Sequence, residues 1–373
     1  MRIIHLTSVH NWNDDRIFHK ECKTLSNQGY DVILIAVADK EMIVDGIQII
    51  PLPRIGNKIK RMFVNSFLIL KQSIKANGNI YHFHDPELVF VGLFLRIIGK
   101  QVIYDIHENI VEVIKGRSYW SDNVKKWLPT LAGMIEKWTS QFFHLVIAGR
   151  YLDERYHNAT KILNYANLLK TGFNNEKKFI MDQGRKGLVY TGFVTERRGA
   201  LIYADIAKNM PEVPLHLIGE VRPLVLLERL MKIAGLDTGL IIDGKGYFVD
   251  SKRKHDLVCN GSWIAALCIF PYSEQYLNTE PTKFFEYMAY GIPIICSNFP
   301  VWKEFIEKEQ CGLTVDPSDI VDIKDKISYL SNNTEAGMKM GENGRKAVIE
   351  KYNWKIESRK LIKVYTNICN LKS

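Results

Sequence analysis

The sequence predicts an α/β protein built as two doubly wound parallel-sheet domains. Three observations predict it. Short apolar runs alternate with longer stretches of helical period along nearly the whole chain, which is the pattern of repeated strand–helix–strand units. That alternation lapses once, at residues 166–185, into Asn-, Lys- and Gly-rich sequence that reads as a hinge. A length of 373 residues also exceeds one ordinary domain of about 150. The expected division is a first domain at 1–165, the hinge at 166–185, a second domain at 186–353 and a closing helix at 354–373.

Composition narrows the class without choosing a ligand. Hydrophobic residues make up 46% and charged residues 24%, as in soluble enzymes with proper cores. Lys and Arg outnumber Asp and Glu by 50 to 41, a net charge of +9 that suits nucleic acid, an anionic membrane surface or phosphorylated small molecules. Six cysteines (Cys22, Cys259, Cys268, Cys296, Cys311, Cys369) form no C-x-x-C pair, so neither a zinc motif nor a disulfide framework is expected, and a cytoplasmic setting fits. Residues 1–7 read as a first strand, not a signal peptide, and no apolar run reaches the ~18 residues of a membrane span.

In the first domain, residues 2–6 are a buried strand, 16–28 a helix closed by Gly29, and 31–37 a second strand, a βαβ opening. The loop at 7–15 has no glycine, against the G-x-G-x-x-G of a dinucleotide site. Between Gly46 and His84 there is no acidic residue, while Arg54, Lys58, Lys60, Arg61, Lys71 and Lys75 flank the apolar run 62–70. A basic amphipathic helix of this kind fits an anionic membrane surface; a solvated helix covering the sheet is the alternative. The strand at 80–83, a helix at 88–98 and a strand at 101–105 follow, then a long helix carrying Trp127, Leu131, Met134 and Trp138, and a strand at 143–148. Ligands of doubly wound sheets gather at the carboxyl ends of strands. There the sequence places Asp15 and Arg16, His84 and Asp85, and His107 and Glu108, although any one such histidine can equally be a packed core side chain.

The second domain restarts at 187–192, a strand ending in Gly192, followed by T-E-R-R-G (195–199) and a helix at 200–209. Strand, glycine turn, basic residues and helix start form a geometry for phosphate, common to many α/β turns. Strand 214–218, helix 222–234, segment 240–247 and strand 264–270 lead to the stretch 278–291. In that stretch Pro281 suits a first helical position and Gly291 the position past the helix end. Phe285, Met288 and Ala289 form a core stripe with Glu286 on its border, and Lys283 adds charge in the first turn. On pattern alone Glu286 either looks toward a ligand or merely faces solvent. A buried strand at 292–296, another at 313–316 and helices beyond 318 complete the domain.

These residues carry a resemblance. D-D-R-I-F-H-K-E (14–21), H-F-H-D-P-E (82–87), Y-D-I-H-E (104–108), T-E-R-R-G (195–199) and P-T-K-F-F-E-Y-M-A-Y-G (281–291) resemble the retaining glycosyltransferases of family four, of the bacterial surface-polysaccharide type. So do S-N-F-P (297–300) with Glu304, C-G-L-T-V-D-P (311–317) and Y-N-W (352–354) with Glu357. The resemblance implies the GT-B fold, two Rossmann-like domains facing across a cleft, with the last helix crossing back to the first domain. It implies that Glu286 holds the ribose hydroxyls of a nucleotide-sugar donor, and that the helix start at Thr282, Lys283 and Phe284, with Gly192 and Arg198, receives the diphosphate. His84 then meets the reacting sugar, with Arg16, Asp85, His107 and Glu108 on the acceptor side. The implied chemistry is front-face transfer with retention, without a protein nucleophile, cofactor or metal. The donor is expected to be uridine-linked, with its base near Tyr247 and Phe248, and the acceptor a glycan or lipid-linked glycan at the inner face of the membrane.

Two departures touch the donor end. Asn278 stands where the family usually has a first glutamate, and Phe193 where an arginine commonly follows the glycine; the first loop also lacks the family's glycine pair. A GT-B-fold nucleotide-sugar 2-epimerase is the alternative enzyme. A nucleic-acid binder is disfavoured because the basic residues are not interleaved with stacking aromatics. Oligomeric state is not legible from the sequence.

Overall fold

The computed structural model describes residues 1–115, 122–153, 155–166 and 186–370. The chain divides into two compact units, Met1–Asn164 with Trp354–Ser373, and Tyr165–Asn353.

The first unit holds strands β1 (Arg2–Asn11), β2 (Asp31–Val37), β3 (Met42–Val44), β4 (Ile47–Leu52), β5 (Ile80–Phe83), β6 (Gln101–Ile106), β7 (His144–Ile147) and β8 (Thr160–Lys161). Their order in the sheet is β3-β4-β2-β1-β5-β6-β7-β8, parallel except for the β3–β4 hairpin. That hairpin is absent from the sequence reading because its strands are short and half-exposed at a sheet edge. The helix expected at 16–28 begins as a π-helical turn, Ile17–Cys22, and continues as α1 (Lys23–Asn27). The turn buries Lys20, Glu21 and Cys22 in succession.

One face of this sheet is covered by α2 (Lys58–Ala76), α3 (Val89–Ile97) and α5 (Asp122–Ser140), with the short α4 (Ile110–Lys115) packed against α5. Asn57 caps α2 by accepting a hydrogen bond from Lys60 N. Ile69 and Ala76 point inward, while Phe63, Phe67 and Ile74 are exposed. The stripe Trp127, Leu131, Met134 and Trp138 that marks α5 as a helix also faces outward.

The second unit is an all-parallel sheet of β9 (Gly187–Thr191), β10 (Leu215–Ile218), β11 (Leu240–Asp243), β12 (Trp263–Cys268), β13 (Ile294–Ser297) and β14 (Gly312–Val315), in the order β11-β10-β9-β12-β13-β14. Its helices are α6 (Ala200–Asn209), α7 (Val225–Ala234), α8 (Ser251–Cys259), α9 (Glu274–Leu277), α10 (Thr282–Ala289), α11 (Pro300–Glu309), α12 (Ile320–Asn332) and α13 (Thr334–Glu350). Helix α8 is missing from the sequence reading: it buries only Val258, so no apolar stripe announces it. The start of α10 also differs from expectation. Pro281 is extended (ψ 131°) and stands just before the helix, because its ring sets φ but not ψ.

The last helix, α14 (Trp354–Asn370), lies with the first unit. Trp354, Leu361, Tyr365 and Ile368 join Ile17, Phe18, Leu25 and the inner residues of β1 and β2 in the core on the other face of the first sheet. Of the expected hinge, residues 167–185 lie outside the described residues, and Ala166 bridges Asn353.

Candidate functional site

Strand order in the second sheet reverses between β9 and β12, and the carboxyl ends of such strands are where α/β folds bind ligands. After β9, Gly192 has φ +105°, and a Cβ there would collide with the Lys283 ammonium. Gly199, at the start of α6, sits against the Ile269 carbonyl in the same way. Tyr287 ties α10 to this point by accepting a hydrogen bond from Thr191 N at 3.0 Å. No side chain caps α10; Phe284 N donates to the Pro281 carbonyl at 3.0 Å, and the turn also carries Lys283, whose Nζ lies 5.1 Å from the Tyr190 ring centroid. Burial pushes the Lys283 ammonium down to about 8; Glu286 pulls it upward and Arg198 pushes it further down. A lysine whose charge is unfavourable beside another cation is poised to receive an anion.

The structure thus brings Gly192, Arg198 and Lys283 together at the switch point. Thr282 is exposed at the helix start, and Asn278 ends α9. Glu286 lies one turn along α10, a third exposed, 3.4 Å from Lys254 Nζ. Phe284 is corrected: its ring is fully buried against Trp302 and Phe305, so its side chain packs the core and does not line a ligand site. Two cations escaped the sequence reading. Lys254 comes from α8, and Arg222 stacks on the Phe193 ring at 4.2 Å, bringing a guanidinium to the place where Phe193 replaces the expected arginine. Beyond β11, Tyr247 and Phe248 are exposed aromatic rings.

In the first sheet the order reverses between β1 and β5. Asp85, just past β5, accepts hydrogen bonds from Thr7 Oγ1 at 2.8 Å and Ser8 N at 2.7 Å and is nearly buried. His10 lies 3.1 Å from Asp14 and 3.7 Å from Asp85. Burial lowers the His10 pKa, but the two carboxylates outweigh it and the net shift is upward. His107 is one-fifth exposed, with Nε2 2.8 Å from Asp105 Oδ2, and Glu108 is exposed beside it.

Two expected site residues, Arg16 on the acceptor side and His84 at the reacting sugar, lie inside the unit. Arg16 is buried, pairing with both oxygens of Asp105 at 2.8 Å and donating to the Ile162 carbonyl at 2.9 Å, so it is a core cross-link. His84 is 2% exposed, with Nε2 3.0 Å from His5 Nδ1 and Nδ1 3.2 Å from Asp105 Oδ2. Both its nitrogens are engaged inside the unit, and the accessible imidazoles at this edge are His10 and His107. Asp105 is held well below the usual carboxylate range: burial would raise it, but Arg16 and His107 outweigh burial. Glu21, beside it, is pushed well above by burial and by Asp105.

Residues 203–347 match the family model for glycosyl transferases group 1. By sequence, no curated protein matches the chain. Solved structures do match over its full length. Sucrose-phosphate synthase from Thermosynechococcus elongatus is similar at a TM-score of 0.74, with 14% identity over 99% of either chain. HepE from Anabaena, solved with UDP-glucose, gives 0.71 and 10% identity over 98% of this chain and all of its own. WaaG, a glycosyltransferase involved in lipopolysaccharide biosynthesis, gives 0.70 and 11% over 97% and 98%. At such identities the likeness speaks for the fold. Residues 203–347 thus resemble a glycosyl transferases group 1 domain, within a chain whose two parallel-sheet units have the fold of GT-B glycosyltransferases.

Proposed function

We propose that the protein transfers a sugar, with retention, from a uridine-diphosphate-linked donor to a glycan or lipid-linked glycan acceptor. The observation that carries this reading is the uncapped start of α10 beside Lys283, Arg198 and Gly192, with Glu286 one turn on. Sugar transfer leaves a nucleoside diphosphate, whose developing charge needs fixed N–H donors, a helix dipole and cations. The HepE complex with UDP-glucose supports a nucleotide sugar as donor. In this reading Glu286 holds the ribose hydroxyls, Tyr247 and Phe248 stack near the base, and Arg222 supplies the guanidinium that Phe193 lacks. Asp85, His10, His107 and Glu108 form the acceptor-side edge of the first unit. Retention follows the family resemblance; Asp85 and Asp105, held in hydrogen bonds and not presented as nucleophiles, favour front-face transfer over a covalent intermediate within it.

The surface of the first unit supports work at an anionic membrane face in the cytoplasm. Exposed Phe63 and Phe67 of α2, Phe90, Phe94 and Ile97 of α3 and the α5 stripe lie on three adjoining helices, with Lys60, Lys71, Lys75 and Lys137 exposed among them. This combination fits the headgroup boundary of such a bilayer. Among the described residues, no helix is long and apolar enough to cross a membrane.

The test is incubation of purified protein with nucleotide sugars, with and without membrane-extracted acceptors. Nucleoside diphosphate release that requires acceptor, with a product of retained anomeric configuration, is expected. Conversion of the sugar without acceptor would favour the 2-epimerase, and inversion would reject the retaining mechanism.

A further inference from the structure

Inside the first unit lies a cluster that sugar transfer does not use. His5 and His82 are register partners on β1 and β5, and His84 follows His82 on the same side of the strand. Glu21 enters from the π-helical turn. Their exposures are 0%, 0%, 2% and 0% for His5, His82, His84 and Glu21. One ligand atom from each lies within 4.8 Å of all the others. Glu21 Oε2 is 3.9 Å from His5 Nδ1, from His82 Nδ1 and from His84 Nε2. Among the described residues, Glu21 Oε1 and Oε2 and His82 Nε2 have no hydrogen-bond partner; Arg16 Nε lies 3.1 Å from Oε1, and the Asp105 carboxylate is close enough to push the Glu21 pKa up.

The Arg16 pair accounts for Oε1 of this buried carboxylate and leaves Oε2 facing three imidazoles at 3.9 Å. A distance of 3.9 Å is too long for N–H···O, and a water bridging the groups at about 2.8 Å would set them about 4.5 Å apart. A tetrahedral zinc ion with bonds of about 2.0–2.2 Å sets its ligand atoms about 3.3–3.6 Å apart. The separations here, 3.0 Å in the His5–His84 hydrogen bond that an ion would replace and 3.9 Å from Glu21, lie on either side of that value.

We propose that His5, Glu21, His82 and His84 form a structural site for one divalent ion of the zinc class. Three imidazoles and one carboxylate are a ligand set for zinc among the biological dications. Four protein ligands with no exposure leave no open position for water or substrate, which marks a structural ion. On His84 and His5 the outer contacts fit: Asp105 Oδ2 is 3.2 Å from His84 Nδ1 and Tyr365 Oη is 3.3 Å from His5 Nε2, whereas the Tyr365 hydroxyl, also 2.8 Å from His82 Nδ1, has to leave that nitrogen for the ion. Carboxylate and hydroxyl partners of this kind orient ligating imidazoles. Because Tyr365 belongs to α14, the ion joins β1, β5, the π-helical turn and the last helix at one point. A closed site takes up its ion as the chain folds. The metal-free alternative is a Glu21 that keeps a proton, shared with Asp105.

The test is elemental analysis of full-length protein made in zinc-supplemented medium and purified without chelator. Wild type and His107→Ala are expected to hold about one zinc per chain, and Glu21→Gln and His82→Ala under about a tenth of that. Folded wild type without stoichiometric metal, or Glu21→Gln that keeps it, overturns the site. Loss in His107→Ala also overturns it, since the ion would then sit on His84, Asp105 and His107. If Glu21→Gln does not fold, cobalt substitution of wild type decides: intense visible bands of a tetrahedral ion support the proposal, and their absence defeats it. None of these readouts depends on sugar transfer, so failure here leaves the proposed function standing.

Discussion

Glu286 and Lys254 are each about a third exposed, so their ion pair adds little to stability, of the order of 0–1 kcal/mol. Removing the carboxylate should therefore spare the fold and strike the ligand. Glu286→Ala is expected to weaken binding of UDP by about 10- to 100-fold, the worth of charge-assisted hydrogen bonds to the ribose, with an unchanged melting temperature. Calorimetry with UDP checks it, and unchanged affinity would remove Glu286 from the donor site. Gly192 makes a complementary case. A methyl group at Gly192 meets only the mobile end of Lys283, so Gly192→Ala should cost donor affinity more than stability, although φ +105° adds some backbone strain. Comparing UDP titrations with thermal melts separates the two effects. Both residues were legible in sequence as members of a turn and a helix border; Lys254 was not, because α8 carries no apolar stripe, and Arg222 was not, because its aim is set by stacking on Phe193 in another turn.

Helices decide the remaining surface and one close contact. On α2 and α5 the apolar residues that reveal a helix in the sequence fall on the outward side, since Asn65, Ile69, Ser73 and Ala76 cover the sheet on α2 and Glu136 with Thr139 does so on α5. Periodicity tells that a stripe exists and not which way it faces. Paired Phe63→Asp and Phe67→Asp substitutions should reduce sedimentation with anionic vesicles at least about tenfold, since each ring is worth about 1.5–3 kcal/mol when buried. Equal binding by the variant would reject this face. Where α13 crosses the end of α10, a Cβ at Gly341 would overlap the Gly291 carbonyl. Backbone cannot swing aside as a lysine can. Gly341→Ala should lower stability by about 1–3 kcal/mol in urea denaturation, with donor affinity per folded molecule unchanged.

For the whole molecule, the buried histidines set a pH dependence in the metal-free chain. Burial first, and neighbouring histidines next, hold His5 and His82 well below the ordinary 6.5; burial also leads in lowering His84, where the Asp105 hydrogen bond opposes it. A base with a lowered folded pKa contributes stability that is full above its unfolded value and is lost as pH falls. Below about 6.5 the unfolded chain takes up more protons at these rings than the folded chain, while folded Glu21, raised above 4.5, opposes this by retaining a proton the unfolded chain releases. The balance predicts stability that falls as pH drops between about 6 and 5. Urea denaturation of chelator-treated protein across that range checks it; a flat profile would mean the rings are not buried neutral.

Alternation of apolar runs with helical period determined the two parallel-sheet units, and most strands stand within a residue or two of their expected limits. The punctuation of residues 281–291 determined that a helix starts where the second sheet changes direction. These are local properties of spacing, written in neighbouring residues. Tertiary structure alone decided which polar residues at the strand ends look outward. Asp85 and His107 stay at the edge of the first sheet, whereas Arg16 and His84 turn inward, because a π-helical turn and the last helix cover that side of β1 and β5 and supply Glu21 and Tyr365 as partners. No spacing within one element records what another, more than 300 residues away in the chain, will lay against it.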